Sequence, residues 1–343
     1  MSRVAVALSG GVDSAVAAVL LKEQGFEVIG LTGKMTYSDN SEHVVYNAKK
    51  VAEKIGIEHY VFDVKNLFQE KIIEYFENTY KKGQTPNPCI MCNKYIKWGA
   101  LFDYAISELK CNFISTGHYA DIKIKDNYYK LYPANDEVKD QLYFLFLLNQ
   151  SHLSKTLFPL SNYKKNEIRV LAEKYNLPSK SAKDSQDICF IQPPLTTKKY
   201  LNNIFPINKG CFIEKTTGKV LGNHDGFWQF TIGQRKGIGL SAPEPLYVTG
   251  IDAENNIVYV GYKNELQVKE LILRNIEWSY PQEKMCFEAL VKIRYNMKAV
   301  PAKITYADVV NIRFLEPVYG IAAGQACVLY DINDGHLLGG GFI

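Results

Sequence analysis

No run of about 18 consecutive apolar residues occurs in the 343-residue chain, so no membrane-spanning helix is expected. An apolar segment begins directly after Arg3, without the basic and apolar regions of a signal peptide, and a cytoplasmic location is expected. The Gly-Lys-Ser/Thr ending of a Walker A loop is missing, and so are the spaced glycines of a dinucleotide fingerprint. No second C-x-x-C and no paired histidines accompany Cys89 and Cys92, which argues against a closed structural zinc site. The 7 cysteines are odd in number and unevenly spaced, unlike a secreted disulfide framework and in keeping with a reducing compartment. Internal repeats and low-complexity tracts are absent.

The composition, 47% hydrophobic and 22% charged, is that of a soluble globular protein, and the length predicts more than one domain. A net charge of +4 and 23 tyrosines interleaved with lysines suit a polyanionic partner with exposed bases.

The stretch from Val4 to Glu23 organises the rest. Val4 to Leu8 reads as a strand buried on both faces, and Ala15 to Glu23 as a helix closed by Gly25. Between them Ser9-Gly10-Gly11-Val12-Asp13-Ser14 forms a tight turn. Strand, glycine turn and helix present backbone N–H groups to a phosphate, and the two glycines allow close approach. Strands at Phe26–Leu31 and Glu58–Val64, with helices at His43–Ile55 and Leu67–Tyr80, continue a βαβαβα pattern. Thr32-Gly33-Lys34 would follow the second strand, at the edge where open α/β sheets bind ligands.

The segment from Lys81 to Asn93 breaks the pattern, and its prolines predict an extended loop. Helix resumes over Lys94–Leu109. Asn112–Ser115 reads as a strand running into Thr116-Gly117-His118-Tyr119, Ala120–Tyr132 as a hairpin, and Asp140–Leu148 and Glu167–Tyr175 as helices. From about residue 200 short alternating runs replace long helices. Gly210–Leu221, Val248–Val260, Leu290–Ile293 and Ala326–Tyr330 read as strands of small β domains. Boundaries near Pro193-Pro194 and Gly261–Glu265 divide the chain into 1–195, 196–263 and 264–343.

Cys89 and Cys92 form a C-x-x-C that reads as a redox pair, a metal half-site or two unremarkable thiols. Lys94 and Lys97 near Cys92, and Lys183 near Cys189, are cations of the kind that depress a thiol pKa. Cys111, Cys211, Cys286 and Cys327 read as small core residues.

SGGVDS after a strand resembles the PP-loop of the ATP pyrophosphatases. Together with TGHY, KDQ, KDSQDICF, TIGQRKG, Arg294-Tyr295, Gly324-Gln325-Ala326 and Gly339-Gly340-Gly341, it resembles the tRNA-specific 2-thiouridylases essentially end to end. The resemblance implies a doubly wound parallel α/β sheet of the adenine nucleotide alpha hydrolase type. A small central β-rich domain and a C-terminal β-barrel that contacts tRNA would follow. It implies ATP-dependent 2-thiolation of the wobble uridine at tRNA position 34. Uridine O2 would be adenylated, sulfur delivered from a cysteine persulfide, and AMP and pyrophosphate released.

Carried over residue by residue, Ala7, Leu8, Ser9, Gly10, Gly11, Val12, Asp13, Ser14, Gly33 and Gly117 would bind ATP, with Mg²⁺ beside Asp13. Cys189 would bear the persulfide, received from a cysteine desulfurase or a sulfur-relay protein, and Cys92 would attack it. Asn87, Pro88 and Cys89 would lie beside the target base, and His118, Lys139, Asp140, Gln141, Arg294, Tyr295 and Gln325 would contact tRNA. Cys89 stands where many members have Asp, Asn47 where Asp is usual, and Ala323 where Pro is usual; the first departure touches proton transfer. It also opens a second route, in which Cys89, Cys92 and Cys189 hold a [4Fe–4S] cluster that delivers sulfide. Two other readings stand beside these. One is a PP-loop enzyme adenylating a different substrate, which would need an ammonia source. The other is a non-catalytic RNA-binding protein.

Overall fold

The computed structural model describes residues 1–180, 188–283 and 285–343. Five parallel strands form its first sheet, in the order β3-β2-β1-β4-β7. They are β1 (Arg3–Ala7), β2 (Glu27–Lys34), β3 (Glu58–Asp63), β4 (Phe113–Ser115) and β7 (Thr156–Leu157). Val4 and Val6 pack on one face against α1 (Val12–Glu23), α2 (Asp39–Ile55) and α5 (Lys165–Lys174). Ala5, Ile29 and Leu31 pack on the other face against α3 (residues 65–81) and α4 (residues 88–108). Burial on both faces explains why these strands are apolar runs rather than alternating ones. Sequence order reverses on either side of β1, which puts the turn after β1 at the switch point where such sheets bind ligands.

Four shifts in the expected boundaries bear on the candidate site. Helix α1 starts at Val12, so Asp13 and Ser14 belong to its first turn rather than to the preceding loop. Strand β2 extends to Lys34 because Thr32, Gly33 and Lys34 pair with Val61, Phe62 and Asp63, so Gly33 is strand interior, not a loop beyond it. The expected helix over Asp140–Leu148 is reduced to a 3₁₀ turn at Leu142–Leu145. The largest change is at the cysteines. Helix α3 runs from Lys65–Phe68 through a π-wound turn, Gln69–Ile73, into Glu74–Lys81. Helix α4 starts at Pro88–Cys92 and continues through the π-wound Asn93–Leu101 to Tyr104–Glu108. The predicted extended loop therefore ends at Asn87. Pro88 suits the first helical position, where its missing N–H costs nothing, and the Asn87 side chain accepts from the N–H of Ile90 at 3.4 Å.

The hairpin β5 (Asp121–Lys125) and β6 (Tyr128–Tyr132) turns at Asp126 and Asn127, both with positive φ. A four-stranded sheet of order β10-β11-β8-β9 follows helix α6 (Thr197–Ile204). Its strands are β8 (Gly210–Glu214), β9 (Val220–His224), β10 (Tyr247–Asp252) and β11 (Ile257–Gly261). The last part of the chain is a seven-stranded antiparallel sheet, β12-β16-β15-β14-β17-β18-β13. Among the described residues no ladder joins its edges, β12 (Gln267–Leu273) and β13 (Ile276–Trp278), so it is a curled half-barrel rather than a closed barrel. The inner strands are β14 (Cys286–Lys292), β15 (Val300–Tyr306), β16 (Val310–Tyr319), β17 (Ala326–Asp331) and β18 (Leu337–Phe342). Ile90, Trp98 and Phe102 of α4 share one core cluster with Ala326, Val328, Tyr330 and Leu337 of the half-barrel. Trp98 is 1% exposed, and its indole N–H is satisfied by Thr156 Oγ1 at 2.8 Å. Among the described residues no helix is long and apolar enough to cross a membrane.

Candidate active site

The turn after β1 is held by its own side chains. Ser14 Oγ accepts from the N–H of Ser9 at 3.2 Å and donates to the carbonyl of Gly11 at 3.3 Å. Ser9 Oγ accepts from the N–H of Gly11 at 3.4 Å. Gly10 has φ +73°, and a Cβ there would lie 2.7 Å from Asn47 Cβ, so α2 backs the turn and excludes any side chain. The first N–H groups of α1 have no carbonyl one turn earlier to bond, and such free helix-start amides are what a phosphate can use. Ala7 ends β1, and Leu8 is pinned by its N–H to the carbonyl of Leu31 at 2.9 Å.

Asp13 is engaged by two residues that sequence reasoning missed. Lys165 Nζ reaches both carboxylate oxygens at 2.8 Å, and Tyr119 donates its phenol O–H to Oδ1 at 2.9 Å. Lys165 opens α5, 152 residues away from Asp13 in sequence, and nothing in the local pattern marks it. A triphosphate carries several negative charges, and the turn itself offers only neutral donors and a carboxylate. Lys165 supplies the cation beside this turn, paired with Asp13.

The segment Thr116 to Tyr119 joins this turn to the cysteines. A Cβ on Gly117 would lie 2.7 Å from the backbone of Asp13 and Ser14, so Gly117 lets the segment after β4 close directly onto the start of α1. His118 is buried beside Trp98 and Phe158. Lys97 Nζ meets its Nε2 at 3.3 Å and Thr116 Oγ1 meets its Nδ1 at 2.7 Å. An ammonium only donates, so Nε2 accepts and Nδ1 carries the proton toward Thr116. Burial, with Lys97 adding to it, lowers the His118 pKa well below its usual value and keeps the ring neutral. Tyr119 in turn is clamped by Gln141, which accepts from its N–H at 3.1 Å and donates to its carbonyl at 2.9 Å.

Cys89 and Cys92 stand on the first turn of α4. Cys92 is buried, whereas Cys89 and Cys189 are open to solvent. The net shift at each of these thiols is nonetheless upward. Burial pushes Cys92 up to about 12 and Cys189 up to about 11, and it raises Cys89 as well. Solvent reaches Cys89 and Cys189, but the surrounding protein still desolvates their sulfurs. Lys97 pulls all three back and is outweighed, while Lys94 turns instead to Glu277 at 3.9 Å. Lys183, with Asp184, Ser185, Gln186 and Asp187 of the same motif, lies outside the described residues. Cys189 interacts electrostatically with both Cys89 and Cys92, so the three thiols share one neighbourhood. Phe190 anchors Cys189 there through edge contacts with Phe68, Phe76 and Tyr200. Of the four cysteines expected in the core, Cys111 and Cys327 are buried and Cys211 is half-buried, but Cys286 is exposed at the start of β14.

Residues 2–193 match the family described as tRNA methyl transferase HUP domain, 198–262 its PRC-barrel domain, and 268–343 the aminomethyltransferase beta-barrel domain. Over 100% of this chain and 98% of its own length, the tRNA-specific 2-thiouridylase MnmA 2 of Thermoanaerobacter sp. is 44% identical. The tRNA-specific 2-thiouridylase MnmA of Nostoc punctiforme is 40% identical over 100% of this chain and 99% of its own.

The chain belongs to the tRNA-specific 2-thiouridylase family.

Among solved structures, the U34-tRNA thiolase NcsA from Methanococcus maripaludis with its [4Fe-4S] cluster is similar over 59% of this chain and 64% of its own. Its TM-score of 0.36 and 21% identity carry nothing about the chemistry here.

Within the 2-thiouridylase frame, the residues expected to meet tRNA are engaged inside the protein. Asp140 accepts from the N–H groups of Ala134 and Leu142, and burial raises its pKa. The backbone N–H of Lys139 donates to Asp136. Arg294 donates to the carbonyl of Ile232 at 2.5 Å and to that of Gly320, tying the TIGQRKG turn to the half-barrel. Tyr295 packs on Phe144 with ring centroids 4.5 Å apart. Gln325 donates to the carbonyls of Thr85 and Pro86. Two departures from the family pattern are local. Asn47 backs Gly10, and Ala323 uses its carbonyl, which a proline also has, to accept from the N–H of Thr85 at 2.8 Å.

Proposed function

We propose that the protein catalyses ATP-dependent 2-thiolation of the wobble uridine of tRNA, at position 34, in the cytoplasm. The observation that carries this reading is the Thr116–Tyr119 segment. It touches the phosphate-accepting turn through Gly117 and Tyr119, and it touches the lysine facing the three thiols through His118. Full-length similarity to the named 2-thiouridylases supports the substrate.

The turn from Ser9 to Ser14 binds the phosphates of ATP, and Gly33 and Gly117 line the adenosine. The uridine O2 attacks the α-phosphorus and pyrophosphate leaves, so that a poor leaving group becomes AMP. Asp13 offers a carboxylate of the kind Mg²⁺ accepts, and the ion when bound supplies charge neutralisation to the phosphates. Lys165 moves from Asp13 to a phosphate oxygen.

Cys189 holds a persulfide received from a sulfur-donor protein. The Cys92 thiolate attacks its inner sulfur, giving a Cys92–Cys189 disulfide and hydrosulfide. Hydrosulfide adds at C2 and expels AMP, and an external thiol reductant returns the two electrons that reopen the disulfide. Cys89, in the position of the family's Asp, lies beside the base with Asn87 and Pro88. His118, Lys139, Asp140, Gln141, Arg294, Tyr295 and Gln325 lie along the tRNA path.

The test is incubation with ATP, tRNA, a persulfide donor and a thiol reductant. Pyrophosphate release that depends on tRNA, together with 2-thiouridine in the digested RNA, is expected. Pyrophosphate without tRNA dependence would point to a different adenylated substrate, and tRNA binding without either product to a non-catalytic RNA-binding protein. The three thiols would also suit a cluster with one open iron. Iron in anaerobically purified protein, with a visible cluster band, would replace the persulfide route.

A further inference from the structure

The first turn of α4 carries two of the three thiols, and besides packing on the catalytic domain's own sheet it is restrained from elsewhere in the chain. The segment before it, Gly83 to Pro86, is held from two other domains. Thr85 N–H donates to the carbonyl of Ala323 at 2.8 Å. Gln325 Nε2 donates to the carbonyl of Thr85 at 3.0 Å and to that of Pro86 at 3.3 Å. Gly324, with φ +86°, comes so close that a Cβ would sit 2.9 Å from the oxygen of Thr85. From the central domain, Thr231 Oγ1 accepts from Thr85 Oγ1 at 3.3 Å, and Ile251 and Ala253 close over Gly83. Immediately downstream, Asn87 is buried and caps the helix, and Ile90 is fully buried in the cluster it shares with β17 and β18.

Pro86 has no N–H, so this segment cannot be secured by an ordinary ladder on that side. Its carbonyls are the groups left to fasten, and one side chain fastens two of them in succession. A glutamine amide has two N–H bonds, enough for both.

We propose that Gln325 is a positioning residue: through the carbonyls of Thr85 and Pro86 it sets where α4 begins, and so where Cys89 and Cys92 stand. The C-terminal half-barrel is then part of the sulfur-transfer site without supplying a reacting atom. This rests on the 2-thiolation reading for its purpose, but not for its test.

The test uses the full-length protein without RNA or ATP. Gln325→Met keeps the length and packing of the stem and removes both donors. Gln325→Glu keeps the shape and points oxygen at two carbonyl oxygens. Hydrogen exchange at the amides of residues 87–92, and alkylation of Cys92 by iodoacetamide, are followed against the amides of β14 and β15. About a tenfold rise in both readouts is expected for Gln325→Met and a larger one for Gln325→Glu, with β14 and β15 unchanged. Under turnover, the same variants lose thiolation about tenfold. Unchanged exchange and alkylation in the RNA-free variants, with weaker tRNA binding, would make Gln325 an RNA contact only and overturn the proposal. An equal rise across β14 and β15 would also overturn it, as general loosening of the fold. Failure of the wild-type protein to thiolate tRNA would remove the 2-thiolation reading and leave the RNA-free result standing.

Discussion

The Ser9–Ser14 turn and the cysteine recess are linked through the Thr116–Tyr119 segment, but they are built in opposite ways. The turn is local: the hydroxyls of Ser9 and Ser14 and the carbonyl of Gly11 satisfy one another within six positions of chain. The recess is assembled from distant pieces. Cys89 and Cys92 arrive on α4, Cys189 arrives beside a phenylalanine wedged among three aromatic rings, and residues 323–325 fasten the approach. The turn stands ready for an anion. The recess holds its thiols in the neutral form, since desolvation outweighs Lys97 at each of them. An adenylating centre that is ready and a sulfur centre that is quiescent until substrate arrives would limit wasteful loss of sulfide.

That contrast can be broken most severely at its two ends. Cys92→Ser and Cys189→Ser should each abolish thiolation while tRNA-dependent pyrophosphate release continues, read in one assay of RNA digests and phosphate. Either variant thiolating at a normal rate would remove that thiol from the pathway. At the other end, Asp13→Ala should depress pyrophosphate release by about a thousandfold and leave tRNA binding intact in a filter assay. Next in size, Lys165→Met should raise the KM for ATP by about tenfold or more, with Lys165→Arg recovering part of it, because one charge-assisted bond to phosphate is lost. An unchanged KM would confine Lys165 to holding Asp13.

The smallest expected effect sharpens the recess. A thiol with a raised pKa is neutral below it, so thiolate grows about tenfold for each pH unit. Alkylation of Cys189 in the RNA-free protein should therefore climb through alkaline pH and level off only near about 11. Lys97→Met removes the cation that favours thiolate, moves each thiol pKa further up, and should slow alkylation at pH 8 by about threefold. A plateau near neutral pH in the wild type would mean that the thiols are already activated.

The same contrast explains what was legible in the chain. The SGGVDS turn could be read because its hydrogen bonds close within its own residues and its glycines exclude side chains. The parallel sheet could be read because strands buried on both faces must be apolar throughout. Helix α4 was misplaced because Pro86 and Pro88 look alike in sequence, yet one precedes the cap and the other is the first helical residue. Lys165 and Tyr119 were invisible as partners of Asp13, since each comes from a different crossover of the fold. Lys94 and Lys97 looked equivalent, and only the winding of α4 sends one to His118 and the other toward Glu277.

Local chemistry, then, was enough to announce a tight glycine turn between strand and helix and the α/β sheet behind it, because short-range sterics and burial patterns are written residue by residue. The protonation of the cysteines and the glutamine fastening their helix were decided by packing between segments far apart in the chain. Desolvation and hydrogen bonding at such contacts depend on what the rest of the chain brings alongside, which no stretch of sequence carries alone.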